Sequence, residues 1–518
     1  RLCENSGGDF VVMRGEQKKE KEVSHKRGIN REQTVLFPEV VDDYISDENP
    51  VRFIDAYVES LDVEQLGFDH AKTAETGRPP YHPGDLLKLY LYGYLNRIRS
   101  SRELEKAAQR NVEMMWLLRR LRPDFKTIAD FRKDNTEALK AVCREFTLLC
   151  KKLDLFGGEL VGIDGSKFSA VNHNSRSYTR QKLQRLIEAI DEKIEGYFRR
   201  LESADTTEGT SRTTQHRVSE HIADLQAHKA ELEELQKVLM ESGETSLSVT
   251  DPDSRLMTTG KHGKDVSYNV QIAVDAKHSL IVASDLTNEA NDLLQLSPMA
   301  KAAQEILGVE DLRATADKGY YNERQIAECE RHNISCYIPE VEKSQNKALG
   351  LYTDKDFRYD ATSDTYRCPA DQRLSFRFEA TKGNKLVRIY ETPCCRQCLL
   401  RARCMRSKKN NRRMYRWDRE DIIEAMRQRM KSHPEVVQKR KELVEHPFGI
   451  IKHWMNHGYF LMRGKKKVAA EVSMSVLVYN MKRVMNILGV PMLLAELRAL
   501  SAKALFLSFR LFVGRSTV

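Results

Sequence analysis

No stretch of the 518-residue chain approaches the roughly 18 uncharged apolar residues that a membrane span needs, which points to a soluble protein. The most apolar part, Leu488 to Val513, is interrupted by Pro491, Glu496, Arg498, Lys503 and Arg510. The first residues lack a signal peptide's order of basic start, apolar core and small-residue cleavage site, so a cytoplasmic setting is expected. Ten cysteines are too few for a disulfide scaffold in a chain this long; in a reducing compartment they are thiols or metal ligands. Charge of one sign is also not in great excess. With 85 basic against 75 acidic side chains, the net +10 selects a polyanionic partner only weakly. Its distribution says more. From Arg401 to Arg419 there are nine Lys/Arg, with Arg401, Arg403, Arg412 and Arg413 among them, against the single acid Asp418. Such a block would bind phosphates by counterion release. A solvated basic loop would carry the same charges.

What is present suffices for folded cores: 41% of residues are hydrophobic, and the length suggests about three domains. Residues 1–35 are polar, with mixed Lys and Glu, and read as a flexible tail. Helical patterns dominate from Phe37 to Leu155. Pro83-Gly84-Asp85 opens a helix whose Leu87, Leu91, Tyr94, Leu95 and Ile98 share a face, with Arg97 and Arg99 near its end. Short helices are expected over Ser101–Arg110 and Val112–Leu121, then a longer one from Thr127 to Leu153. Basic ends such as Arg119, Arg120 and Arg122 suit a helix-turn-helix-like DNA-binding module, and equally a plain helical bundle.

At Gly158 the character changes. Leu160 to Asp164 is a short apolar run ending in an acid, the pattern of a buried strand. Tyr268–Asp275 and Leu280–Leu286 read as a hairpin, Leu293–Leu307 as a helix, Leu312–Asp317 as another strand ending in Asp, and Ile334–Ile338 as a further strand. Between the first strand and the hairpin, Leu183, Ile187, Ile190, Ile194, Tyr197 and Leu201 recur at alternating spacings of four and three. Val218, Ile222, Leu225, Leu232, Leu235 and Leu239 resume the seam after a polar loop at 203–215, which predicts an antiparallel coiled-coil hairpin.

Neighbouring strand ends in an open sheet bring their side chains to one crevice. Asp164 and Asp317 would meet there, and two close carboxylates are stabilised by a cation such as Mg²⁺ or Mn²⁺. A third acid, Glu445, lies in a helical stretch opened by His433-Pro434-Glu435, and Lys452 stands seven positions further on. The two share a face only if the helix continues through Pro447. Separately, Cys395 and Cys398 at C-x₂-C spacing, with Cys404 downstream and Cys368 upstream, form a possible Cys₄ structural Zn²⁺ site. Cys394 is a spare. The polar, basic segment around them has few apolar groups for a core of its own, so a metal would supply part of its folding free energy.

Gly162-Ile163-Asp164-Gly165-Ser166, Ala316-Asp317-Lys318-Gly319-Tyr320 and Val444-Glu445-His446-Pro447-Phe448-Gly449 with Lys452 resemble the three acidic motifs of bacterial insertion-sequence DDE transposases. Tyr268-Asn269-Val270-Gln271, Leu296-Ser297-Pro298-Met299, Tyr479-Asn480-Met481-Lys482-Arg483, Tyr81-His82-Pro83 and Phe131-Arg132 are similar to the same family, in its order, over roughly residues 32–487. The family's third motif commonly carries tyrosine seven and arginine four positions before the glutamate. Here Gln438 and Lys441 stand there, and lysine binds phosphate as a point charge rather than a fork.

The resemblance implies an α/β catalytic core with an RNase H-like mixed sheet, interrupted by a helical-hairpin insertion and a Cys-rich insertion, behind an all-α N-terminal domain. Its expected organisation is a tail (1–35), a helical DNA-binding domain (36–157) and the core (158–340) with the hairpin inserted at about 178–245. A basic Cys-rich insertion (341–430), C-terminal catalytic-core helices (431–487) and a second tail (488–518) follow. Asp164, Asp317 and Glu445 would be catalytic and hold two Mg²⁺ or Mn²⁺ ions, while Lys452, Lys441, Arg401, Arg403, Arg412 and Arg413 would contact DNA. The implied activity is metal-dependent strand cleavage and strand transfer. The implied partners are double-stranded DNA, as terminal inverted repeats and target, and a second copy of the chain; the setting is nucleoid-associated, with no membrane and no small-molecule substrate. A repurposed transposase that binds without cutting, and a general nuclease of the same fold, are the alternatives.

Overall fold

The computed structural model describes residues 40–72, 79–172, 174–205, 212–259, 263–340, 349–383, 385–406 and 410–500. The expected tail at 1–35, residues 206–211 of the loop expected at 203–215, and 501–518 lie outside the described residues. Among the described residues no helix is long and apolar enough to cross a membrane.

Six helices come first: α1 (Pro50–Glu59), α2 (Pro83–Leu95), α3 (Ser101–Arg110), α4 (Val112–Leu117), α5 (Phe125–Asp134) and α6 (Thr136–Lys152). Caps set their starts. The Asn49 side chain accepts the Val51 N–H before Pro50, and Asp124 accepts from Lys126 and Thr127. The single helix expected from Thr127 to Leu153 is two. Asn135 breaks it, donating its side-chain amide to Phe131 O (3.0 Å) while its Oδ1 takes the Asp69 N–H (2.7 Å). A side chain that bonds backbone on both sides offers the chain an alternative to continuing the helix.

The main sheet comprises β1 (Leu160–Ser169), β4 (Arg255–Thr259), β5 (Gly263–Asp275), β6 (Ile281–Thr287), β7 (Leu312–Thr315) and β8 (Ile334–Tyr337). β5 pairs antiparallel with β1 along its length and carries β4 and β6 on its other edge; β1, β7 and β8 run parallel. The hairpin and strands expected from the sequence are therefore there, β1 and β5 being longer than expected. Between β1 and β4, β2 (Ser177–Thr179) pairs with β3 (Ser246–Ser248) at the root of a hairpin of α7 (Arg180–Asp205) and α8 (Arg212–Glu241). Leu183, Ile187, Ile190 and Ile194 bury against Ile222, Leu232 and Leu239 as a separate cluster, the anticipated seam.

α9 (Leu296–Leu307) and α10 (Glu323–Glu330) follow β6 and β7. Beyond β8 comes a second sheet, all antiparallel: β9 (Arg358–Asp360), β10 (Thr365–Arg367), β11 (Arg373–Lys382), β12 (Lys385–Glu391) and β13 (Arg413–Trp417), with short α11 (Arg401–Cys404) before β13. This corrects the expectation of a segment without a core of its own. Phe357, Tyr366, Leu374, Tyr390 and Met414 are buried together, because short alternating strands turn one apolar face inward. The chain returns through α12 (Glu420–Ser432), α13 (Pro434–Gly449) and α14 (Lys465–Leu488).

Two expected boundaries are also corrected. The N-terminal helices are not set apart at residue 157: Phe146 and Cys150 of α6 share one continuous core with β1, β5 and α14. The expected tail at 488–518 is helical over residues 490–500, where Val490, Leu493 and Leu497 are buried in that same core.

Candidate active site

The last pair of the parallel β1–β7 ladder is Gly162 with Thr315. Asp164 and Asp317 each stand two residues further, and the backbone at Asp317 is still extended (φ −79°, ψ 174°). They therefore lie level on one face, about one strand spacing, roughly 5 Å, apart. Asp317 Oδ1 accepts the Gly319 N–H (2.7 Å) and Asp164 Oδ1 the Gly165 N–H (2.9 Å).

α13 crosses the same face. A Cβ on Gly162 would sit 3.0 Å from Val444 Cγ1 and 3.2 Å from Leu443 Cβ, so any side chain there would press on the helix. Further along, the Phe168 ring lies 6.1 Å from that of Phe448. Asp164 falls between these contacts on the strand, as Glu445 does on the helix. Glu445 is exposed. Among the described residues no three His, Cys, Asp or Glu side chains are gathered tightly enough to hold a metal ion.

Pro447 does not end the helix. α13 continues to Gly449 and passes into a π-helical turn, Ile450–Trp454, closed by Met455 N–H on Ile450 O (2.8 Å). That turn carries Lys452 to β1, where Nζ donates to Ser166 Oγ and Lys167 O, both at 2.6 Å. Burial above all, with Lys167 nearby, lowers the Lys452 ammonium to about 8, against the pull of Asp164. Chain beyond the turn then extends the sheet, Ser169 bridging to Tyr459.

Burial also dominates at Asp164, pushing its carboxyl up to about 6; the Gly165 N–H and Arg440 oppose this, and Asp317 and Asp292 add to it. A half-buried carboxylate with two acids around it fits a hard divalent cation, which would relieve the repulsion. Arg440 and Asp292 were missed in the sequence. Lys441, expected beside the acids, is exposed, and it is half-buried Arg440 whose charge reaches Asp164. Asp292 Oδ1 accepts from Asn269 Nδ2 and Gln271 Nε2, both at 2.7 Å, and faces Lys167 Nζ at 3.5 Å. Tyr320 OH donates to Gln271 Oε1, so this network ties the motif of Asp317 to the strand beside Asp164. The NEAND stretch (288–292) offers no periodicity that would single out its Asp.

The basic block is not a free loop. Arg401 donates to Cys395 O (2.6 Å) and Asn410 O (2.9 Å), and Arg412 pairs with Asp354 (2.7 Å) at 15% exposure. Arg413 pairs with Glu391 (2.9 Å) and Arg403 stacks over Tyr352, but both remain exposed. Arg401 and Arg412 thus make these contacts within the sheet and its loops. Sheet formation turns these two side chains onto the strands and loops that they fasten.

The class defined is a mixed α/β protein whose central sheet gathers acids at adjacent parallel strand ends beneath a further acid-bearing helix. Two family models match within it: the transposase domain (DUF772) over residues 39–134 and the transposase DDE domain over residues 367–485. Together these two matches, each over less than a quarter of the chain, support a DDE-type transposase. The second match takes in Glu445 and Lys452 but neither aspartate. No curated protein matches the chain. Among solved structures, the cryo-EM synaptic complex of piggyBac transposase with hairpin DNA is similar at 8% identity and a TM-score of 0.32. The alignment covers 87% of this chain and 79% of that one.

Proposed function

We propose that the chain cuts DNA at the terminal inverted repeats of an insertion sequence and transfers the freed 3′ ends to target DNA. The observation that carries the reading is the β1–β7 register, which sets Asp164 and Asp317 level beneath the helix of Glu445. The order β6–β5–β1–β7–β8, antiparallel and then parallel, supports an RNase H-like core. Asp164, Asp317 and Glu445 are the residues that would hold two Mg²⁺ or Mn²⁺ ions, which when bound activate the attacking oxygen and stabilise the leaving one.

The remaining roles belong to the chain itself. Lys452, anchored on β1, offers a cation to a DNA phosphate beside the acids. Exposed Lys441, Arg403 and Arg413 contact the backbone of the duplex by charge. The helices α1–α6 recognise the terminal repeats, and two copies act together, since both ends must be cut in concert.

The test is metal-dependent nicking of duplexes taken from the DNA that flanks the coding sequence. Glu445→Gln is expected to abolish nicking and to leave binding within about twofold, because it removes a metal-binding charge at an exposed position. Undiminished cutting by that variant overturns the triad. Binding without cutting by the unaltered chain would favour the regulator that Gln438 and Lys441 suggest, and cutting of unrelated DNA equally well would indicate a general nuclease.

A further inference from the structure

The second sheet holds a cluster of thiols for which strand cleavage has no use. Cys368 follows β10 at a tight turn through Asp371 (φ 57°). Its N–H donates to Gln372 O (3.0 Å), and the Gln372 N–H donates back to Cys368 Sγ (3.3 Å). On the other side, β12 runs into a 3₁₀ turn, Pro393–Gln397, and then α11, which delivers Cys395, Cys398 and Cys404 to the same place. These residues and Cys394 line one cavity of about 20 Å³, with Arg401 and Arg412 also in its wall. That is the space of a single water-sized sphere. None of these cysteines is in a disulfide; Cys368, Cys395, Cys398 and Cys404 are half-buried, and Cys394 is exposed.

We propose that Cys368, Cys395, Cys398 and Cys404, which line one cavity without standing at ligand distance from one another, draw together around one structural Zn²⁺, with Cys394 left outside. Four sulfur donors suit a closed tetrahedral shell, which keeps no position for substrate or water. The Arg401 and Arg412 side chains in the cavity wall would offset part of the negative charge of a four-thiolate shell. Cys368 and Cys404 already pack on the small core of Phe357, Tyr366, Leu374, Tyr390 and Met414, so the ion would extend that core. It would fasten the β10–β11 turn to the end of β12. Docking of the sheet on the main body is separate, through Lys385 of β12 with Glu323 of α10 and Arg416 of β13 with Glu424 of α12. The site is thus independent of the strand-cleavage reading, and either can fail alone.

The test uses the full chain, purified without chelator under reducing conditions, with zinc measured by elemental analysis. One zinc per chain is expected in the unaltered protein and in Cys394→Ser, and none in Cys395→Ser/Cys398→Ser. Because the double variant can lose zinc by misfolding, the unaltered protein is also reconstituted with Co²⁺. Intense visible bands of a tetrahedral cobalt–thiolate centre are expected, and their absence refutes the ligand set. No zinc either as purified or after anaerobic reconstitution overturns the proposal. So does loss of zinc in Cys394→Ser, or a thiol count showing that the four cysteines form disulfides instead.

Discussion

Replacing Glu471 by alanine is expected to loosen the joint between the N-terminal helices and α14. Glu471 lies on α14 at 1% exposure, with Oε1 facing Arg99 of the α2–α3 connection (3.4 Å) and Arg132 of α5 (3.6 Å). Its Oε2 accepts the N–H groups of Leu461 (2.9 Å) and Met462 (3.1 Å). Arg99 in turn donates to Asn456 O (3.2 Å) and Tyr459 O (2.8 Å), in the segment that follows Lys452. One carboxylate therefore neutralises two buried cations and holds the chain leaving the π turn. Removing one side of a buried ion pair costs about 3–5 kcal/mol, and each buried N–H left without an acceptor adds about 1–3 kcal/mol. Partial relaxation offsets some of this, so a net loss on the order of 5 kcal/mol is expected. Equilibrium urea unfolding at pH 7 measures it, and Glu471→Gln, which keeps the shape and an acceptor, should fall between. A loss below about 1 kcal/mol for the alanine variant would refute the idea that this carboxylate joins the two regions.

Two further predictions concern the polar interior. An alanine at Gly165 would place its Cβ 2.2 Å from Gln271 Nε2 and 2.7 Å from Asp292 Oδ1. Gly165→Ala should then displace that network, cost about 1–3 kcal/mol and lower nicking at least tenfold; activity within twofold of normal would show that the network does not position Asp164. His457 is held neutral down to about pH 3, by burial first and then by Arg99. Above pH 6.5 it is neutral in both states. Below that the unfolded chain takes up a proton that the folded chain refuses, so stability should fall by about 1.4 kcal/mol per pH unit toward pH 3. His457→Phe should flatten that slope between pH 6.5 and 4.5, and an unchanged slope would rule His457 out.

Much of the frame can be read from local pattern. The runs ending in Asp164 and Asp317, the hairpin of Tyr268 to Leu286, and the seam of Leu183 to Leu239 each specify their element within a few residues. Arg99 illustrates the limit: near a helix end it has the look of a DNA-facing cation, yet it is 5% exposed and paired with a residue 372 positions away. No local signal encodes such a partner. The second sheet was missed for another reason. β9 and β10 are three residues each, and a bulge between Phe376 and Phe378 breaks the alternation of β11 that would have announced it.

Pro447 is the most instructive case, because its local rule is sound and still loses. Proline removes one helical N–H and clashes with the preceding turn, at a cost of about 3 kcal/mol in an interior. Here Pro447 and Phe448 are buried next to the Val444 contact with Gly162, and the wider π turn then brings Lys452 to Ser166 Oγ and Lys167 O. The helix thus persists where tertiary contacts on both sides of the proline outweigh the missing bond. Those contacts depend on Gly162 and Ser166, nearly three hundred residues earlier in the chain, so the shared placement of Glu445 and Lys452 becomes evident only once β1 is packed beneath them.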